Sequence, residues 1–166
     1  MELGDNFRKS GFCGINDHEI DTDLVKEVQE LFIQFFSLPE ETKKLYFYPE
    51  LGGARGYTPF KIETAKGSKH ADLKEFWQTG RSHDSEVSAP NYPTNIWPND
   101  TVPLFKDTID DLYNKMESLS LKLLSACSLY LGKDKDWLGE MTEEGNTIMR
   151  IIHYPCLLYT SDAADE

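Results

Sequence analysis

Several short stretches of this 166-residue chain hold side chains whose types and spacing could do chemistry. His70-Ala71-Asp72 is a His-x-Asp pair, two of the three ligands that hold non-haem Fe(II) on one face, with His153 nominally available as the third. The pair lies in the polar run KGSKHADLKE, with no apolar strand ahead of it to fix its geometry, so a surface loop is the better reading. His83-Asp84-Ser85 gathers nucleophile-relay types, but three adjacent residues cannot converge on one point. TIMRIIHYP reads as a strand. Alternation along it puts Ile148, Arg150, Ile152 and Tyr154 on one face and Met149, Ile151 and His153 on the other. An Arg and a Tyr on an otherwise apolar face suit carboxylate recognition at a pocket wall. An edge strand with a snorkelling arginine explains them equally well. In ARGYTP, Arg55 and Tyr57 stand beside glycines with donors suited to a carboxylate, and turn chemistry accounts for those glycines too. Asn99-Asp100-Thr101 has the form of a glycosylation acceptor, though capping of the helix ahead explains it better.

The elements that must position these groups are mostly helical. Residues 1–9 read as the last turns of a helix, and SGFCGIN as a short strand punctuated by Gly11 and Gly14. Asp21-Thr22-Asp23 offers an N-cap and an acidic first turn, with Leu24, Val28, Leu31, Phe32 and Phe35 at helical spacing behind it. Ser37-Leu38-Pro39-Glu40 restarts a helix, with Ser37 as its cap, that runs out near Tyr46. YPELGGARGYTPF is a loop with a strand inside it, and DLKEFWQTGR is a strand or a helix that periodicity does not decide. Four prolines make SAPNYPTNIWPNDTVP an extended connector. From about Thr101, the residues Phe105, Ile109, Leu112, Met116, Leu119, Leu123 and Tyr130 mark one face of a long helix that Gly132 stops. A short helix near residues 136–141 precedes the final strand. The strands look too few and too scattered to form a sheet covering these helix faces.

Composition narrows the function classes. Hydrophobic content of 39% and charged content of 28% fit one soluble domain with a core. A net charge of -12 argues against nucleic acid and anionic membrane surfaces as partners, since both need clustered Lys and Arg. No apolar run reaches the length of a membrane span and no leader opens the chain, so the expected compartment is cytoplasmic. Cys13, Cys127 and Cys156 lack pairing or metal-ligand spacing and read as buried free thiols. Nothing in the sequence sets an oligomeric state.

In order, GFCGINDHEI, LPEETKKLY, ARGYTPF, DLKEFWQTGR, NIWP before a long helix, and MRIIHYP resemble the N-terminal half of the Fe(II)- and 2-oxoglutarate-dependent oxygenases related to isopenicillin N synthase. The resemblance runs from Gly11 to Pro155. It implies an α+β fold, with a mostly helical N-terminal region leading into the first strands of a double-stranded β-helix, or jelly roll, left incomplete here. It also implies oxidation of a small organic substrate with O2, iron and 2-oxoglutarate. In relatives the first position of the strand motif can face substrate and its second tyrosine lies near the oxoglutarate. Those positions are Arg150 and Tyr154. His153 stands where Tyr is common and Ile152 where Asn is common, and the Ile152 departure leaves one cosubstrate hydrogen bond in question. Arg55 and Tyr57 resemble a loop that helps hold the substrate carboxylate in the penicillin-forming branch. His18 falls in the family's Asn-His-Gly turn with Glu19 in place of the glycine, and a structural role is expected for it.

The resemblance places the His-x-Asp, the distal His and an oxoglutarate-anchoring Arg-x-Ser after Pro155, where this chain reads CLLYTSDAADE instead. That string resembles a translated sequencing-library adapter. The expected organisation is therefore 1–155 as the N-terminal region and 156–166 as a non-native tail, with no metal ligand and no bound cofactor within the chain. An oxoglutarate-independent oxidase of the same fold and a non-catalytic helical interaction module remain the alternatives.

Overall fold

The computed structural model describes residues 2–64, 71–82 and 92–155. Among the described residues, five α-helices and three strands follow one another: α1 (Glu2–Ser10), α2 (Thr22–Phe36), α3 (Glu40–Lys44), β1 (Gly56–Thr58), β2 (Glu75–Gly80), α4 (Phe105–Tyr130), α5 (Trp137–Glu140) and β3 (Ile148–His153), with one 3-10 turn at Pro49–Leu51. The α+β expectation holds, with one correction. The strands are not scattered: they pair as a single antiparallel sheet in the order β1-β2-β3. Ladder partners far apart in sequence cannot be read from local pattern, which is why they looked isolated. DLKEFWQTGR resolves as the central strand, its Glu75–Gly80 stretch wholly buried.

Local chemistry explains most of the boundaries. Asp21 caps α2, its carboxylate accepting from the Asp23 amide at 2.8 Å. Asn99 serves α4 in the same way from outside the helix, accepting from the Lys106 amide at 3.0 Å. At the other end of α4, Gly132 takes a φ of +70° that lets the chain turn away, and its amide closes on the Leu129 carbonyl. Ser37 is not the cap of α3. It ends α2, with its amide bonded to the Ile33 carbonyl, and Pro39 enters α3 without a side-chain cap. GFCGIN forms no strand, because it has no ladder partner among the described residues, and Phe12 is left exposed.

The core lies between the sheet and the packed pair α2 and α4. It is mostly aromatic: Phe35, Trp77 and Phe105 are fully buried and meet edge-on or tilted, with centroids 4.9 Å (Phe35–Trp77), 5.2 Å (Trp77–Phe105) and 5.8 Å (Phe35–Phe105) apart. Such rings each bury a large area and favour edge-to-face geometry, so they fix the sheet on the helices as well as drive collapse. The apolar stripe of α4 is buried at Phe105, Ile109 and Leu112; beyond them Met116 is exposed, while Leu119, Leu123 and Tyr130 are half-buried where α1 and α5 pack on the helix. Cys13 and Cys127 are free thiols, half-buried and not fully enclosed. Among the described residues, no helix is long and apolar enough to cross a membrane.

Candidate functional site

The ladder register divides the sheet into two faces. Tyr57, Glu75, Trp77, Thr79, Met149, Ile151 and His153 turn toward the helices, and Thr58, Phe76, Gln78, Ile148, Arg150 and Ile152 turn away. Tyr154, just beyond β3, continues the alternation and stands 66% exposed.

Arg150 is the fixed point of the outer face. It lies opposite Gln78, and its Nε donates to Gln78 Oε1 at 2.7 Å. The Gln78 amide in turn donates to the Gly53 carbonyl, tying the glycine loop to the strand. The guanidinium sits 4.1 Å from the centroid of the Phe76 ring, a cation–π contact that flattens it against an apolar floor. Its outer nitrogens meet Glu63, Nη2 to Oε1 at 3.1 Å. Glu63 also takes Lys74 at 3.0 Å. Burial pushes the Glu63 carboxyl up, but the hydrogen bonds from Lys74 and Arg150 outweigh it and hold the group below its ordinary range. The result is an oriented, one-third exposed guanidinium whose planar fork is held by a carboxylate that is itself at the surface. An incoming carboxylate that displaced Glu63 would find the geometry ready.

Arg55 and Tyr57 are not brought together with Arg150. Arg55 is enclosed at 2% exposure, donating to the Ala54 carbonyl and to Asn146 Oδ1 at 2.8 Å, with its Nε unpartnered. Burial pulls its pKa down, and Tyr113 nearby opposes that shift without reversing it. Among the described residues no carboxylate pairs with it. Tyr57 lies on the helix side, its hydroxyl donating to Glu75 Oε2 at 2.5 Å. Desolvation, with Glu75 beside it, drives its pKa far up, so it stays a neutral donor.

Glu75 organises a cluster that sequence reasoning did not identify. Its carboxylate, 1% exposed, takes Lys43 Nζ at 2.6 Å, the Tyr57 hydroxyl and His153 Nδ1 at 2.8 Å. Lys43 also donates to the Phe36 carbonyl at the end of α2. His153, nominally a third metal ligand, is therefore engaged by Glu75 and stacked on Phe36, with centroids 5.1 Å apart. The available signal was KEFW: Glu75 shares strand parity with Trp77 and so had to turn inward. At the turn before α2, His18 Nδ1 accepts from the Ile20 amide, and Glu19 adopts a φ of +60°. A glycine would fit that backbone without strain.

His70 and the run from His83 to Ser85 lie outside the described residues. Asp72 is paired with Lys74 at 2.8 Å. Among the described residues, no three His, Cys, Asp or Glu side chains gather as a metal-binding group.

The sequence model of a family described as the N-terminal region of non-haem dioxygenases in morphine synthesis matches residues 1–100. A 2-oxoglutarate-dependent dioxygenase of Trichoderma harzianum is 27% identical over 93% of this chain and 48% of its own length. A homoarginine-6-hydroxylase of Arabidopsis thaliana is 27% identical over 97% of this chain and 49% of its own. A crystal structure from Caulobacter crescentus, assigned to the 2OG-Fe(II) oxygenase family, superposes with a TM-score of 0.78 at 39% identity, covering 93% of this chain and 50% of that one. The chain thus spans about half the length of the relatives it matches.

Proposed function

The chain belongs to the non-haem dioxygenase family, and from that premise we propose that it supplies the N-terminal, pocket-wall part of a cytoplasmic Fe(II)- and 2-oxoglutarate-dependent oxygenase acting on a small organic substrate. On this reading its sheet is the beginning of a jelly roll. The observation that supports the reading is the outer face of β3, where Arg150 is oriented by Gln78 and Phe76 with Tyr154 exposed on the same side.

Roles divide by position. Tyr154, mostly exposed just beyond β3, faces the cosubstrate, and Arg150 faces the substrate by exchanging Glu63 for a ligand carboxylate. Arg55 and Tyr57 contribute from within the wall. Arg55 reaches a substrate carboxylate only if the ligand displaces Asn146, and Tyr57 orients Glu75 beneath β3. In such enzymes the iron supplies the oxidising power. The described residues offer it no ligand set, so it does not fit here and no step is assigned through it.

The test is the reading frame beyond the Pro155 codon. It is expected to encode a His-x-Asp and a distal His, and the extended protein to release succinate from 2-oxoglutarate only with Fe(II). A genomic read that continues as CLLYTSDAADE, or a downstream frame without those histidines, overturns the reading. So does an extended protein whose activity is untouched by Arg150→Ala and Tyr154→Phe together.

A further inference from the structure

Hydrophobic patterning gives β3 little reason to prefer one face. Met149, Ile151 and His153 point inward, while Ile148, Ile152 and Tyr154 point outward with Arg150, so comparable apolar bulk lies on both sides. A slip of one residue exchanges the faces of a strand, and the register is weakly specified where both faces are similar. Polar contacts distinguish them: outside, Arg150 meets Gln78 and Glu63, and inside, one contact reaches a buried carboxylate. In the observed register His153 lies directly opposite Glu75, the most enclosed carboxylate among the described residues, and its Nδ1 meets Glu75 Oε1 at 2.8 Å.

We propose that Glu75 is a positioning residue, whose carboxylate, braced by Lys43 and Tyr57, selects the register of β3 through His153 and so turns Arg150 and Tyr154 outward. The bracing comes from separate elements: Lys43 from α3 and Tyr57 from β1, with Lys43 also anchored on the last turn of α2. Oε2 of Glu75 is thereby taken by Lys43 and Tyr57, leaving Oε1 for His153. Slipping β3 by one residue would put Ile152 or Tyr154 opposite Glu75. Ile152 has no polar group to satisfy Oε1, and Tyr154 would place a longer side chain where Phe36 stacks on the imidazole. A buried polar cluster often costs net stability, and its use as a register device is the best-attested reason to keep one. The Nδ1–H tautomer of His153 follows, because a carboxylate with two donors on its other oxygen still needs a donor at Oε1. The latch rests on the functional reading only for what it serves.

The full 166-residue chain allows the test by NMR. In the wild type, His153 is expected as the Nδ1–H tautomer, with Trp77–Ile151 and Phe76–Ile152 cross-strand contacts in one set of resonances. In His153→Leu, β3 is expected to show a second, shifted set or amide exchange faster by about tenfold or more. His153→Gln, which can still donate to Oε1, is expected to restore the single set. Thr79→Val, on the same inner face, is the control for ordinary core change and is expected to leave the register alone. Glu75→Gln is expected to resemble His153→Leu, and should it fail to fold, the two His153 variants decide. An Nε2–H tautomer in the wild type, or a single native set with unchanged exchange in His153→Leu, overturns the proposal. Neither result bears on the reading frame beyond Pro155, so the two readings fail separately.

Discussion

The guanidinium of Arg55 lies against the α-carbon of Gly80: a Cβ built there would fall 2.1 Å from Nη2 and 2.4 Å from Cζ. The last residue of β2 is therefore a glycine because an arginine from the β1 loop occupies the place of its side chain. That arginine in turn holds Asn146 ahead of β3. Sequence neighbours of neither residue hint at the contact.

Gly80→Ala is expected to destabilise the chain by about 1–3 kcal/mol, the usual cost of forcing a methyl into occupied space. Urea denaturation measures it. An unchanged midpoint would mean that Arg55 swings aside freely and that its enclosure is not a constraint.

Lys43→Met removes the cation nearest Glu75 while keeping the bulk of the side chain. Leaving a buried carboxylate without its partner costs about 3–5 kcal/mol. The double variant Lys43→Met with Glu75→Gln is expected to lose clearly less than the sum of the two single changes, since each single variant strands a buried group. Strict additivity in a double-mutant cycle would remove the pair from the account.

Glu63 gives the outer face an acid sensitivity. Its carboxyl is held below the ordinary range, so it contributes stability above its unfolded pKa and loses it as the pH falls through the lower folded value. The stability difference between wild type and Glu63→Gln is expected to be steady near neutrality. It should shrink as the pH drops below about 4.3. Its size at neutral pH is expected to be up to about 1 kcal/mol, because the pair is partly exposed and screened. Denaturation curves at stepped pH read this out, and a difference that grows on acidification has the wrong sign.

Glu19→Gly tests two opposed effects. The residue takes a left-handed backbone at φ +60°, which disfavours a side chain, yet it also reaches Lys122 at 2.5 Å. Both partners of that ion pair are mostly exposed, so the strain is expected to outweigh it and Tm to rise by about 2 °C or more. Lys122→Ala isolates the ion pair. A fall in Tm for Glu19→Gly larger than that for Lys122→Ala would show that the backbone is not strained.

The sequence was most legible where physics is local. The spacing of Val28, Leu31, Phe32 and Phe35, the caps at Asp21 and Asn99, and the stop at Gly132 each depend on neighbours within a turn or two, and each appears as expected. It was least legible at Ser37 and at GFCGIN. A hydroxyl beside a proline, and apolar residues beside glycines, fit more than one local structure until the chain folds around them.

For the candidate site the division is the same. Strand parity placed Arg150 and Tyr154 on one face, because alternation is a property of extended backbone alone. Their partners came only from folding. Gln78 and Glu63 meet Arg150 across separations of 72 and 87 residues, and Glu75 meets Lys43, Tyr57 and His153 from three different elements. Periodicity along the chain determined which residues could share a face. Pairing between distant strands, and the burial of one carboxylate among them, decided which face would look out and what would hold it there.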